Sequence, residues 1–154
     1  MIFDRTQADV DTALALRETK VKTFGELTES EIATLERGTI TINTLNRIEE
    51  KQSELKSLLN AMGYWNTPVT NRTWGYTDIF DEMNFQRIID NLNILREAFF
   101  VYHDTPKTPP ISYHFEDINS LEKILYDIDV MINDVKSRYK RCGTFRCGGG
   151  MING

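Results

Sequence analysis

Three stretches of this chain carry apolar residues at alternating steps of three and four, and two stretches that cannot be helical hold them apart. Leu45, Ile48, Leu55, Leu59 and Met62 form the first stripe, interrupted at Gln52. Phe85, Ile88, Leu92, Leu95 and Phe99 form the second, widened by Ile89 and Ile94. The third runs through Ile118, Leu121, Leu125, Ile128, Ile132, Val135 and Tyr139, with Ile124 and Met131 beside it. Such spacing lays side chains along one face of an α-helix, and it predicts helices over residues 43–62, 81–100 and 115–139. Three seams of matching pattern make a bundle, closed within the chain or through coiled-coil contacts between subunits. The expected fold class is therefore all-α, a helical bundle of four to five helices with a long aromatic crossover loop and a Pro-rich loop.

The separators have distinct chemistry. Residues 63–78 lose the helical period and hold Pro68, Gly75, Tyr64, Trp65, Trp74 and Tyr76, which reads as an extended crossover packed by its own rings. Pro106, Pro109 and Pro110 remove backbone donors and keep their preceding residues out of the α region, so residues 105–110 form a stiff, extended return. Two shorter helices precede the seams. Over residues 5–19, Asp4 and Gln7 imitate a capping box, and the thin apolar face of Val10, Ala13, Leu14 and Val21 needs a neighbour or another subunit. Over residues 29–36, Thr28 and Glu31 make a stronger capping box, and Gly38 is expected to end the helix in the positive-φ region. Residues 1–141 read as a single helical domain. Residues 142–154, with Gly143, Gly148, Gly149, Gly150 and Gly154, read as a Gly-rich flexible tail.

With 154 residues, 40% of them hydrophobic and 27% charged, the chain can bury a core without staples. A formal charge of −5 and the absence of any basic cluster with interleaved aromatics argue against nucleic acid as a partner. Lys136, Arg138, Lys140, Arg141 and Arg146 are better read as cations complementing the end of the last helix. No window approaches a membrane span or a signal peptide, so synthesis in a cytoplasm without membrane association is expected.

Catalytic chemistry is not visible. Only His103 and His114 could act as imidazole bases, and neither sits in a motif. Cys142 and Cys147 have four residues between them, the wrong spacing for a zinc knuckle. They read as free thiols ahead of a disulfide or a metal site, which would need both histidines to converge on them. The acidic pairs Asp127 with Asp129 and Glu49 with Glu50 are expected on the solvated surface, while Asp78, Asp81 and Glu82 are expected to cap a helix start. No cofactor, metal or catalytic residue is assigned. The remaining signal is aromatic: Tyr64, Trp65, Trp74, Tyr76, Phe80 and Tyr102, together with Tyr113 and Phe115, either pack a bundle end or form a partner-binding patch.

The order of segments carries one resemblance. Residues 24–31, then Thr44 to Glu49, then Gly63-Tyr64 are similar to the opening of a helical domain of phage and prophage tail, baseplate or fibre-associated structural proteins from Gram-positive gut bacteria. Trp74-Gly75-Tyr76-Thr77-Asp78-Ile79 resembles that family's Trp-x-x-x-Asp-Ile element, and Asn91 to Arg96 its Asn-x-x-x-Leu-Arg element. Leu121 to Asp129 and the region of Gly143 resemble its final helix and small-residue end, so the likeness covers roughly residues 19 to 150. His114 stands where that pattern has a Thr cap, and Arg141-Cys142-Gly143 where it has an aromatic-Ser-Gly end. The resemblance implies a non-enzymatic structural or adaptor component, made in the bacterial cytoplasm and incorporated into a virion or phage-like particle. Its implied partners are other particle proteins and further copies of itself, as a trimer. The alternative is an intracellular prophage-encoded adaptor or regulator that binds a host protein.

Overall fold

Helices form where the spacing places them: α1 Gln7–Leu16, α2 Glu29–Gly38, α3 Ile42–Ala61, α4 Glu82–Ala98 and α5 Phe115–Arg141, with a π-helical extension of α1 at Arg17–Val21. The computed structural model describes residues 1–23, 25–64 and 69–141, for 139–141 the backbone alone, and among them there is no strand. The expected tail at 142–154, both cysteines and Trp65 lie outside the described residues.

Reciprocal caps start the two short helices. The Thr28 hydroxyl accepts from the Glu31 amide at 3.4 Å while the Glu31 carboxylate accepts from the Thr28 amide at 2.9 Å. At α1 the box is Thr6 with Asp9, not Asp4 with Gln7 as the sequence suggests. Threonine wins because its hydroxyl can accept from Asp9 N–H at 3.3 Å and also donate to the Asp9 carboxylate at 2.8 Å. Asp4 instead pairs with Arg37 at 3.1 Å.

The hydrogen bond from Lys20 and those from Thr28 hold the Glu31 carboxyl at about 2, below its ordinary 4.5. A carboxylate whose folded pKa is lowered contributes stability that is complete above its unfolded pKa and is lost as pH falls toward the folded one. The α1/α2 hairpin is therefore expected to loosen ahead of the long helices between pH 4.5 and about 2. Amide exchange in α2 measures this, and Glu31→Gln should remove the share of the pH dependence that Glu31 carries, leaving that of Asp9, whose carboxyl the hydrogen bonds from Thr6 and from Arg37 also hold below its ordinary value.

Gly38 does not occupy positive φ; among the described glycines only Gly63, with φ 95°, does so. Gly38 is the last residue of α2, and it is needed for proximity rather than for a left-handed turn. A Cβ there would stand 2.2 Å from the Asp9 carbonyl oxygen and 2.4 Å from the Ala13 Cβ. The thin face of α1 thus finds its neighbour within the chain, Ala13 against Gly38, while Leu14 and Val21 stay exposed. Gly38→Val should force the hairpin apart and cost about 2 kcal/mol, as overpacking does. A lower thermal midpoint with lost amide protection confined to α1 and α2 is the expected readout.

The long helices carry the core, which gathers Leu45, Ile48, Leu55 and Leu59 from α3, Phe85, Ile88, Leu92 and Leu95 from α4, and Leu121, Leu125, Ile128 and Ile132 from α5. Their side-chain contacts fix their directions. Glu49 and Gln52 of α3 reach Arg87 and Ile88 of α4, and Arg47 and Lys51 of α3 reach Glu122 and Asp129 of α5. Position numbers rise together in both pairs, so all three helices point the same way. The chain must therefore return to the starting end twice. The first return passes Lys56 at Val69, Glu49 at Arg72 and Asn46 at Trp74. The second passes Arg96 at Pro106, Asn93 at Thr108 and Phe85 at Tyr113. Prolines and extended backbone suit these returns because their polar groups bond to side chains of the flanking helices rather than to a ladder. The N-terminal segment, residues 1–6, lies in the same manner along α5 and α3.

Candidate functional site

Each extended segment is held in its helix groove by a buried carboxylate. Glu49, 1% exposed, accepts from the Trp74 indole at 3.1 Å, from the Arg72 amide at 3.1 Å and from both terminal nitrogens of Arg87, one of them at 2.9 Å. Glu122, fully buried, accepts from Arg5 at 3.2 Å, from Arg47 at 2.8 Å and from the Ile2 amide. Burial lowers the Arg5 pKa from its ordinary value, and the adjacent Glu122 opposes that shift. Asp127 accepts from the Thr105 hydroxyl at 2.9 Å and pairs with Lys123. Glu49 and Asp127 were expected on the solvated surface; both are buried because a return segment covers each of them. Of their sequence partners, Glu50 is exposed as expected, while Asp129 is half-buried and bonded across to Lys51 of α3 at 2.9 Å.

Amide side chains complete the stitching. Asn46 makes a two-way clasp on the Trp74 backbone, accepting at 2.7 Å and donating at 3.1 Å, and Asn91 does the same to Thr70 at 3.1 and 2.8 Å. Gln52, the polar break in the α3 seam, is buried and donates to the Ile88 carbonyl at 2.9 Å. Asp81 caps α4 as expected, accepting from the Asn84 amide at 2.9 Å. Asp78 instead closes a turn by accepting from Gly75 N–H at 2.7 Å and pairs with Arg72.

The aromatic residues do not form one patch. Trp74 is buried at the starting end of the bundle, beneath the Arg72 guanidinium at 4.5 Å and edge-on to Phe80 at 5.3 Å. Phe80 continues to Phe85 and Tyr113. Tyr64 lies at the opposite end, edge-on to Phe99 at 5.5 Å, and half-buried Tyr102 lies in the turn after α4. Phe115 lines a cavity of about 250 Å³ with His114, Gly38 and Val10, where the α1/α2 hairpin meets α5. His103 and His114 are thus set at opposite ends of the second return. Among the described residues no three metal-ligating side chains come together, and no helix is long and apolar enough to cross a membrane.

Of the singled-out rings, Tyr76 is free, 98% exposed. Apolar neighbours in sequence share that exposure: Ile79 at 79% and Met83 at 77%. Met83 opens a groove of about 770 Å³ along the outer face of α4, which continues through Arg87, Asp90 and Ile94 between walls at Thr70 and Ile111. Sequence reading missed this surface, since Ile79 precedes α4, Met83 falls off its seam, and neither carries a motif. Compared with protein-family models, curated proteins and solved structures, the chain finds no match.

Proposed function

We propose that this chain is a non-enzymatic structural or adaptor unit that acts by protein-protein contacts, and that its place is a phage tail, baseplate or related particle. The observation that carries the first part is the division of labour among side chains. Buried Glu49, Glu122 and Asp127 are each spent holding an extended segment to a helix, while the large apolar side chains of Tyr76, Ile79 and Met83 are offered to solvent around the start of α4. A unit with a rigid interior and an unmet apolar surface is built to be covered by a partner. The likeness of residues 19–150 to phage structural domains supports the second part.

Purified particles from induced cells that carry the gene provide the test. Quantitative mass spectrometry of the gradient-banded particle fraction should find this chain in fixed ratio to tail proteins. A chain left wholly in the soluble fraction would overturn the particle assignment in favour of an intracellular adaptor. Light scattering over a concentration series addresses the proposed trimer, since particle components commonly assemble with cyclic symmetry.

A further inference from the structure

The groove on α4 brings apolar and acidic side chains together along one helix face. Met83 and Ile94 supply its apolar surface toward either end, with Arg87 and Asp90 between them on the same helix face and Ile111 of the second return as one wall. Arg87 is the one cation among its lining residues, and Arg87 is spent internally on Glu49 and on the Thr70 carbonyl at 2.7 Å. The acids are not neutralised. Asp90 accepts only from Gln86, at 2.7 Å, and neither Glu82 nor Asp90 has a basic partner among the described residues. From Glu82 to Ile94 the groove extends about 18 Å along the helix axis, and the two acids stand about 12 Å apart along it.

We propose that this groove docks a basic amphipathic helix of a partner protein, apolar toward Met83, Ile94 and Ile111, with Lys or Arg about two turns apart meeting Glu82 and Asp90. The charge and length of the groove select that occupant. Apolar side chains on either side of an unpaired carboxylate call for an amphipathic segment that carries cations, an 18 Å run accommodates about three helical turns, and unpaired carboxylates reject an acidic one through like-charge cost. The proposal rests on the reading of the chain as an interaction unit, but not on its place in a particle.

The test uses a fluorescein-labelled helical peptide of about four turns, with leucines along one face and two lysines two turns apart flanking them, titrated into the full chain by anisotropy. Saturable binding is expected. Glu82→Lys/Asp90→Lys should weaken it about tenfold or more, as should Met83→Asp. The control Glu29→Lys/Glu116→Lys makes the same change of net charge at exposed first-turn positions elsewhere and should leave binding within about twofold of the original. Circular dichroism and thermal midpoints establish that each variant is folded. Equal loss in the control pair, or no saturable binding, overturns the proposal. So does self-association by light scattering that the groove variants abolish, because the occupant would then be a second copy. Absence of the chain from particles would leave all of these outcomes unchanged.

Discussion

Glu122→Ala is expected to cost about 3–5 kcal/mol, the range for removing one partner from a buried ion pair. The carboxylate is fully buried and answers two guanidinium groups and a backbone amide at once. Its removal leaves Arg5 charged in a site with 5% exposure, and Arg47 already has its Nε buried without an acceptor. Asn119 would still grip the Arg5 backbone at 2.9 and 3.3 Å, so the segment should peel from its free end. Urea unfolding measures the loss, and amide exchange should show Ile2 and Phe3 released. Joint replacement of Arg5, Arg47 and Glu122 by apolar residues of similar volume should recover most of the stability, because the desolvation cost of all three charges is then removed. If Glu122→Ala unfolds at the same urea midpoint as the original, the N-terminal segment is not anchored as described.

Glu49→Ala should be of similar size, about 3–5 kcal/mol, but with its effect on the first return. Arg87 loses its bidentate partner, the Trp74 indole loses its acceptor, and the Arg72 amide is left open. Trp74 emission is therefore expected to shift to the red at temperatures where α3 to α5 remain helical by circular dichroism. Glu49→Gln separates the contributions: the amide oxygen can still serve the indole, so emission should stay close to the original while the Arg87 pairing is lost. Simultaneous loss of fluorescence and helicity would mean that the return segment and the helices unfold as one unit.

The buried carboxylates also mark where sequence reading reached its limit. The α3, α4 and α5 seams were legible because a helical period of apolar residues has few other uses, and the structure begins and ends those helices within a few residues of the expected places. Spacings that put the members of each acidic pair on different helix faces point Asp127 and Glu49 to solvent. Here returns lie in the helix grooves, so positions beside the seam are covered by chain whose path no local pattern records. Helix direction was illegible for a related reason: an apolar stripe spaced by threes and fours reads the same in parallel and antiparallel neighbours. Gly38 offered a signal that pointed to the wrong cause, since a glycine at a helix end suggests a turn far more often than contact with another helix. The exposed surface at Tyr76, Ile79 and Met83 could be suspected only at Tyr76. Ile79 just ahead of a helix and Met83 within it read by default as core, and only the fold shows that both are exposed.

The common direction of α3, α4 and α5 has a kinetic consequence. In an up-and-down bundle, adjacent helices meet across a short turn and folding proceeds through local contacts. Here Gln52 must find Ile88, 36 residues away, Arg47 must find Glu122, 75 away, and Arg5 must find the same carboxylate across 117. Loop-closure entropy is spent before any of these contacts can repay it. The chain should therefore refold more slowly than helical proteins of its length, with a rate closer to that of a β-rich domain, although no strand is found among its described residues.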